Sequence, residues 1–407
     1  MPFSLAIPRH NISLNRAECF ELLRAVFGKP APKGKVAEFE RQFAEYIGAD
    51  FGIAFSSGTA SLYHGLQASG LQSGDKIIVP EYEFSSVIET IRMLKLEPVF
   101  AAVDATNGNL TARTLQEAWS EDVRAVLVAH VHGNAAPMDE IAGLCRQRNV
   151  LLIEDCAHST GATWNGRRVG TFGNFAIFSF GDGKSLTTCG GGMIVTSDSK
   201  LAEKLRQTQQ ALTEPRSGTI GRRAIKALLK WALSTRLGFS LTLFPIAWSA
   251  ARLFGINIID RLFHRGVINL SERPTGFLES MTGTDAAVGL SQLSRIDQLN
   301  RQRIDNASII RRHLQASSAA DPEPVHPNSA GVALNLRLRL NNADRFSVAL
   351  LEQGVDVRRD YLMVYDNDHP MGVVQTDNVF LPNHPGISSE DAHRIGQTAA
   401  AILQSQR

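Results

Sequence analysis

Three runs in the middle of the chain decide its fold: NVLLIEDCAH at 149–158, FAIFSFGDGK at 175–184 and CGGGMIVT at 189–196. Each contains a short apolar stretch typical of a buried strand. The first strand ends in Glu154 and Asp155, and a glycine-rich turn after the second carries Lys184. An acid and a lysine at the ends of neighbouring strands suit pyridoxal phosphate (PLP) chemistry. The carboxylate keeps the pyridine nitrogen protonated, and the amine forms a Schiff base with the aldehyde.

Helices and strands alternate before these runs. The pattern predicts strands at 77–80, 98–103, 123–129 and 150–153, with helices at 86–94 and 138–148. Short apolar runs separated by helices indicate βαβ units and a mostly parallel sheet, so the predicted fold class is α/β. Ligands of such sheets collect at the carboxyl ends of the strands. Asp155 lies at one such end.

The bulk properties are those of a globular protein. The 407 residues are enough for two domains, and a net charge of +2 implies no general role in binding nucleic acid. The four cysteines form no Cys-x-x-Cys pair, which is typical of reduced thiols. Residues 1–11 have no basic stretch followed by an apolar run. We therefore expect a cytoplasmic protein.

Several ordered motifs resemble the DegT/StrS family of PLP-dependent sugar aminotransferases, which have the aspartate-aminotransferase fold. They are VAEFE at 36–40, FSSGTA at 55–60, EDCAH at 154–158, VGTFG at 169–173, FSF and Lys184 at 178–184, GGM at 191–193, AAVGLSQL at 286–293 and LPNHP at 381–385. The resemblance implies a three-layer large domain with a mostly parallel sheet, a smaller C-terminal α/β domain and a homodimer. We place the N-terminal arm and large domain at 1–213, a helical insertion at 214–275 and the small domain at 276–407.

The resemblance assigns roles to individual residues. Lys184 and Asp155 are the predicted catalytic pair, and histidine replaces the lysine in family members that act as dehydratases, so Lys184 favours transamination. Phe84 corresponds to the aromatic residue that stacks on the pyridine ring, and His158 lies near the phenolic oxygen of the cofactor. The predicted phosphate contacts are Ser57, Gly58, Thr59 and Ser179. The first three precede a helical pattern, and the N-terminus of a helix binds phosphate well, although a simple N-cap explains them equally.

The chain departs from the family at three positions. The family has a Gly-[Phe/Tyr]-Asn-Tyr-Arg-Met motif whose asparagine reaches the phosphate across the dimer, whereas this chain has GFLESM at 276–281. Leu278 cannot hydrogen-bond a phosphate, Ser280 replaces the arginine, and Gly190 replaces an acid. These changes raise an alternative, a catalytically altered PLP fold that acts as a dehydratase-like or regulatory binding module. The presence of both Asp155 and Lys184 argues against it.

Two other site types fit the sequence less well. The run Gly183-Lys184-Ser185 suggests a P-loop, but Phe178 occupies the position of the first required glycine. His130 and His132 have the spacing of a metal pair but no accompanying cysteine or third ligand. We predict no metal site and interpret His132 as part of a loop that lines the active site.

The expected reaction moves an amino group from an amino acid, glutamate in the first instance, to a keto-sugar. The family usually acts on nucleotide-linked sugars, and a lipid-linked sugar is a further option here. Such enzymes serve cell-surface glycan or secondary-metabolite biosynthesis. Residues 360–365 are expected to lie near the substrate, but their identity does not specify the sugar or the carbon that is aminated.

The segment 214–275, called the insertion below, is longer than the corresponding family connection. It holds ten Lys and Arg against three acids, and it is therefore +7 while the remainder of the chain is −5. A basic amphipathic helix at 219–236 precedes fifteen uncharged residues at 237–251. Two interpretations stay open: peripheral membrane contact through 219–260, or a helical flap that packs on the protein.

Overall fold

The computed structural model describes residues 5–263, 274–316, 325–368, 371–374 and 377–405. Residues 264–273 of the insertion, with Arg265, Glu272 and Arg273, lie outside the described residues. The strands are β1 Phe51–Phe55, β2 Lys76–Pro80, β3 Tyr82–Glu83, β4 Glu97–Ala101, β5 Val123–Ala129, β6 Leu151–Asp155, β7 Thr163–Trp164, β8 Arg167–Arg168, β9 Phe175–Ser179, β10 Gly192–Thr196, β11 Ser329–Ala330, β12 Leu336–Arg339, β13 Arg358–Arg359, β14 Met363–Val364, β15 Val373–Val374 and β16 Asn378–Leu381.

The helices surround these strands. They are α1 Arg16–Val26, α2 Gly34–Ile47, α3 Gly58–Ala68, α4 Ser85–Met93, α5 Ala112–Glu117, α6 Met138–Gln147, α7 Ser199–Gln210, α8 Ser217–Ser234, α9 Arg236–Leu241, α10 Leu243–Phe254, α11 Ile258–Phe263, α12 Gly283–Leu293, α13 Ile296–Ala316, α14 Ala343–Glu352 and α15 Ser389–Ser405. Two short 3₁₀ helices lie at Val131–Gly133 and Thr275–Leu278.

Seven strands form the central sheet, in the order β1-β10-β9-β6-β5-β2-β4. The five from β9 to β4 pair in parallel, whereas β10 runs antiparallel to both β9 and β1. Asp155 pairs in register with Ala129 of β5 and Ile177 of β9. The predicted carboxylate therefore lies in the middle of the edge where the parallel strands end.

The central sheet is buried on both faces. Successive residues of a strand point to opposite faces, and Leu152 accordingly packs in one core with α2 and α6. Its neighbour Ile153 packs in a second core with α3, α4 and α7. Helices thus cover each side of the sheet, and the predicted three-layer α/β architecture with a mostly parallel sheet is confirmed.

A third core lies in the C-terminal part of the chain. The antiparallel sheet β12-β16-β13 packs with α13, α14 and α15, and Ile7 from the N-terminal arm joins them. Between the two parts, α12 contributes Ala286 and Leu293 to the first large core. The boundaries placed at 213 and 275 stay a prediction.

The insertion forms α8 to α11 in its described part. Helix α8 packs against α1 through Ile220, Ala224 and Ala227, and the small residues at 221, 224 and 227 let the two helices approach closely. Its larger apolar side chains Ile225, Leu229 and Leu233 face outward and are exposed. No helix among the described residues combines the length and apolarity needed to span a bilayer.

Candidate active site

Asp155 is held at the end of β6 in nearly complete burial. Its Oδ1 accepts a hydrogen bond from the backbone N–H of Ala157 at 2.8 Å. Burial raises the pKa of the Asp155 carboxyl, while the Ala157 N–H and the charge of Lys184 oppose that rise. The carboxylate form therefore depends on nearby positive charge, which a protonated pyridine nitrogen would provide.

Lys184 lies in the turn that follows β9. Its backbone N–H bonds to the carbonyl of Gly181 at 3.3 Å, and Gly183 adopts a left-handed φ of 79° that favours glycine. The lysine charge acts on Asp155, Glu83 and His158. The structure thus brings the predicted catalytic pair into one electrostatic cluster.

The predicted phosphate contacts meet at the N-terminus of α3. Ser57 is the N-cap, and its Oγ accepts a hydrogen bond from Ala60 at 3.0 Å. A Cβ on Gly58 would lie 2.7 Å from the Cβ of Ser179, and one on Gly192 would lie 2.5 Å from the Gly58 nitrogen. Only glycine permits so close an approach. Because the first N–H groups of a helix have no acceptor within the helix, the turn can bind an anion beside the Ser179 hydroxyl.

Three rings define the predicted position of the pyridine. Phe84 is half-buried, and its ring centroid lies 6.3 Å from that of Tyr361. The hydroxyl of Tyr361 lies 3.0 Å from His158 Nε2. Burial and the charge of Lys184 hold the pKa of His158 well below its usual value. His158 is therefore neutral at neutral pH, so its predicted role would be that of a hydrogen-bonding partner and not of a charge.

Two residues distant in the chain pack beside the rings of Phe84, His158 and Tyr361, and the sequence analysis did not single them out. Asn335 donates a hydrogen bond to the Tyr361 hydroxyl at 3.1 Å, and Arg358 donates to Asn335 Oδ1 at 3.0 Å. The guanidinium of Arg358 also stacks 4.0 Å from the Tyr361 ring centroid. The His132 ring lies parallel to His158 at 6.3 Å, beside the site as expected. No short-range sequence pattern identifies Asn335 or Arg358.

Glu83 is a further buried carboxyl that sequence reasoning missed. It precedes Phe84, and its Oε1 accepts the Phe84 N–H at 2.7 Å. Its Oε2 is buried and has no hydrogen-bond partner among the described residues. Burial and the nearby Asp155 carboxylate raise the pKa of Glu83 well above its usual value. An acid directly before the aromatic residue predicted to stack on the cofactor was the available signal.

Glu83→Gln is expected to make stability less dependent on pH in the cofactor-free protein. Because its pKa is raised on folding, Glu83 keeps its proton in the folded state at pH values where the unfolded chain releases it. The folded wild type is therefore destabilised as pH rises above about 4.5, by up to ~1.4 kcal/mol per pH unit. When both proteins are denatured at a series of pH values from 5 upward, the free energy of unfolding of Glu83→Gln should rise relative to that of the wild type. A difference in free energy of unfolding between variant and wild type that does not change with pH, as expected for the exposed control Glu121→Gln, would contradict this.

Glu154 has a structural task beside the site. Its carboxylate is fully buried and accepts the N–H groups of Gly170, Phe172 and Gly173 at 2.7 to 2.8 Å. His130 Nδ1 accepts the Ala136 N–H, so Nε2 carries the proton and donates to Glu154 at 3.1 Å. His130, Glu154 and Cys156 lie close enough to bind a metal. The hydrogen bonds already engage the histidine and the glutamate, which accounts for this cluster without an ion.

The departures from the family pattern lie at the edge of the site. Leu278 is exposed, and Ser280 is buried with an unpartnered Oγ. The donor set of the cleft nevertheless fits PLP: a helix N-terminus and Ser179 for the phosphate, aromatic rings for the pyridine, Asp155 for its nitrogen and Lys184 for its aldehyde. The role of each residue stays a prediction.

Comparisons with known proteins agree with this arrangement. The sequence pattern of the DegT/DnrJ/EryC1/StrS aminotransferase family matches residues 22–240 and 247–399. GDP-perosamine synthase of Vibrio cholerae is 27% identical over 361 residues, which cover 88% of this chain and 80% of that protein. The putative pyridoxal phosphate-dependent aminotransferase EpsN of Bacillus subtilis is 36% identical over 192 residues, 46% of this chain and 50% of EpsN. The alignment thus spans half of EpsN.

A solved structure shares the fold over the whole chain. The aminotransferase PseC of Helicobacter pylori has a TM-score of 0.76 at 18% identity, covering 98% of this chain and 100% of that one. The fold, the family resemblance and the cofactor expected from the sequence are thereby confirmed. The chain belongs to the DegT/DnrJ/EryC1/StrS aminotransferase family, and its cofactor is pyridoxal phosphate.

Proposed function

We propose that this protein transfers the amino group of an amino acid, glutamate in the first instance, to a keto-sugar carried on a nucleotide or a lipid. The observation that supports it most is the placement of Asp155 and Lys184 in one cluster beside the Gly58 and Ser179 turn. A relative called GDP-perosamine synthase supports a nucleotide-linked acceptor. A polysaccharide biosynthesis protein among the relatives supports a role in making cell-surface glycans.

The residues of the site divide the work. Bound PLP supplies the electron sink that stabilises negative charge on the donor carbon. Asp155, in its carboxylate form, keeps the ring nitrogen protonated. The hydrogen bond from the Ala157 N–H stabilises this carboxylate form. Lys184 holds and moves the proton that the donor carbon loses. Tyr361 and His158 meet edge to face and are joined by the hydrogen bond between the Tyr361 hydroxyl and His158 Nε2, and together they would orient the ring and shield one side of it.

Two half-reactions test the proposal. Glutamate added to the holoenzyme should convert the aldehyde absorbance of the cofactor to that of the amine form and release 2-oxoglutarate. A panel of nucleotide-linked keto-sugars should then restore the aldehyde absorbance, and the sugar that does so identifies the acceptor. Alanine and glutamine are run in parallel to identify the donor. Failure of all three donors to change the absorbance would favour the alternative of an altered, regulatory PLP fold.

We also propose that the insertion contacts an anionic membrane surface. Apolar side chains are exposed along α8, α9 and α10: Ile225, Leu229, Leu233, Leu237, Leu241, Ile246, Trp248, Leu253 and Phe254. Exposed patches of this kind mark binding surfaces. Arg222, Arg236 and Arg252 belong to the same helices, and between 217 and 259 the sequence has no acidic residue. Apolar side chains with neighbouring cations match the chemistry of anionic lipid interfaces.

Replacing Leu229 and Leu233 together with glutamate should reduce flotation with anionic liposomes about tenfold or more, because both side chains would leave the interface and add like charge. Met371→Glu is the control, since Met371 is also exposed, more so than either leucine, but lies outside the insertion. Unchanged flotation of the double variant would exclude membrane contact. If the double variant differs from the wild type only in its sedimentation without liposomes, this face would instead be assigned to contact with a second copy of the chain.

Three further expectations stay predictions. The resemblance implies a homodimer, the cysteine content implies the cytoplasm, and the balanced charge implies no nucleic-acid partner. Sedimentation equilibrium of the holoenzyme tests the first of these directly.

A further inference from the structure

Arg303 of α13 is buried without a carboxylate partner. It is 4% exposed, and in the part of the chain that the structure describes no aspartate or glutamate pairs with it. Burial lowers the pKa of Arg303 to about 10, so the guanidinium stays charged at neutral pH. Arginine is almost never fully buried unless it is paired, because removing a charge from water is costly. A buried arginine of this kind needs an explanation, which its contacts provide.

One contact of Arg303 reaches the turn that carries Lys184. Arg303 Nη2 donates a hydrogen bond to the backbone carbonyl of Ser185 at 3.2 Å. Ser185 directly follows Lys184 and is 2% exposed, so this bond lies in the interior. The other end of the turn is held by an ion pair of Asp182 with Lys230, and both of these side chains are partly exposed. Ion pairs near the surface contribute little to stability, whereas a hydrogen bond from a charged, buried donor is among the stronger kinds. The bond from Arg303 is therefore the firmer of the two anchors.

A second contact of Arg303 reaches the loop that carries His158. Its Nη1 donates to Oδ1 of Asn300, one turn earlier on α13, at 2.9 Å. Nδ2 of Asn300 donates to the carbonyl of Thr160, two residues after His158, at 3.0 Å. The helix and this loop approach closely, since Gly161 has a φ of 95° and a Cβ there would lie 2.8 Å from Asn300 Nδ2. One buried pair on α13 thus links the loops of both predicted site residues.

We propose that Arg303 is a positioning residue that holds the turn of Lys184 in place for reaction with the cofactor aldehyde. It acts through the backbone of Ser185 and not on the cofactor itself. The missing carboxylate fits this task, because an acid beside Arg303 would compete with the Ser185 carbonyl for the guanidinium. The inference rests on the predicted role of Lys184, and it adds to that role a residue from a distant helix.

Amide hydrogen exchange of the cofactor-free protein tests the contact apart from the chemistry. Arg303→Met keeps an unbranched side chain and removes the donors, and it should fold because replacing a buried charge by an apolar group is often neutral for stability. The segment 181–188 should exchange about tenfold faster or more, since the bond to Ser185 no longer opposes its opening. Asn306→Ala is the matched control, because it removes another buried donor of α13, to the Ile387 carbonyl at 3.0 Å. Its exchange should rise near Ile387 and stay unchanged at 181–188.

Trapping with borohydride tests the consequence for Lys184. PLP is added to the cofactor-free protein, samples are reduced at successive times, and mass spectrometry measures PLP on the peptide that contains Lys184. Arg303→Met should be labelled about tenfold more slowly than wild type or worse, because a displaced amine meets the aldehyde less often in a productive geometry. Arg303→Lys keeps one charged donor and should be intermediate, whereas Asn306→Ala should be labelled as fast as wild type.

The outcomes separate this proposal from the role of Lys184. Unchanged exchange at 181–188 in Arg303→Met, or labelling of Lys184 as fast as in wild type, would overturn the proposal and leave the role of Lys184 intact. Equal slowing in Asn306→Ala would also overturn it, since the effect would then be a general loss of structure. If Arg303→Met does not fold, Arg303→Lys is compared with Arg301→Lys on the exposed side of α13, and equal labelling would overturn the proposal. Wild-type PLP found on another lysine would contradict the role of Lys184 and this inference with it.

Discussion

Lys184→Ala should lose at least about 10³-fold in the rate of the glutamate half-reaction. A positioned general base contributes roughly 10² to 10⁴, and this variant also loses the amine that binds the aldehyde. The electrostatic surroundings add to the effect. Without the lysine charge, burial raises the pKa of Asp155 further, since Lys184 is among the groups that hold it down. The carboxylate that should retain the proton on the ring nitrogen is thereby weakened as well.

The fold should not suffer from this change. Lys184 is half-exposed in a turn, and substitutions at such positions usually alter stability by no more than about 0.5 kcal/mol. Rates of donor conversion are therefore compared at equal protein and cofactor content, with Lys200→Ala on α7 as an exposed lysine control. Borohydride reduction followed by mass spectrometry should find PLP on the wild-type peptide that contains Lys184 and on no peptide of the variant. A reducible protein adduct that survives in Lys184→Ala would remove Lys184 from its predicted role.

Glu154→Ala should destabilise the protein by about 3 to 5 kcal/mol, because each buried N–H group left without its acceptor costs about 1 to 3 kcal/mol. The alanine leaves three backbone N–H groups and His130 without their acceptor in a fully buried place. The turn at 170–173 cannot readily close over the space that the carboxylate leaves. That turn is tightly packed, since a Cβ on Gly170 would lie 2.7 Å from the Phe178 ring.

Urea unfolding measures this loss, taking the first transition because a chain of this size need not unfold in one step. Glu154→Gln should lose less than alanine, because it keeps one acceptor oxygen. Glu203→Ala, on the exposed side of α7, should stay within about 0.5 kcal/mol of wild type. A Glu154→Ala protein as stable as this control would show that the four hydrogen bonds contribute no net stability.

Much of the large domain could be predicted from local pattern. The apolar runs at 123–129 and 150–153 indicated buried parallel strands, and they form β5 and most of β6. Asp155 was predicted because it ends such a run, and Lys184 because it lies in the glycine-rich turn that follows another. Strand ends in a parallel sheet meet at one edge, so the sequence position of a residue implied its place in space. The family motifs added the identity of the cofactor.

The tertiary structure alone brought distant groups together. Glu83 became a site residue through its burial beside Asp155, and Asn335 and Arg358 through packing around Tyr361, more than 170 residues from His158. The same holds for α8. The sequence left open which face of this helix packs on the protein, and in the structure the helix docks through Ile220, Ala224 and Ala227.

By itself, therefore, the sequence determined the sheet and, through its family motifs, the cofactor, and it predicts the acid and the lysine that flank the cofactor. The spacing of apolar residues and the positions at which strands end are local properties of the chain, and they can be read along the sequence. Which face of a helix is covered, which hydroxyls are left without partners and which loops a buried arginine joins depend on the shapes of elements that meet only after folding. Close packing decides these features, and it is a property of the whole molecule.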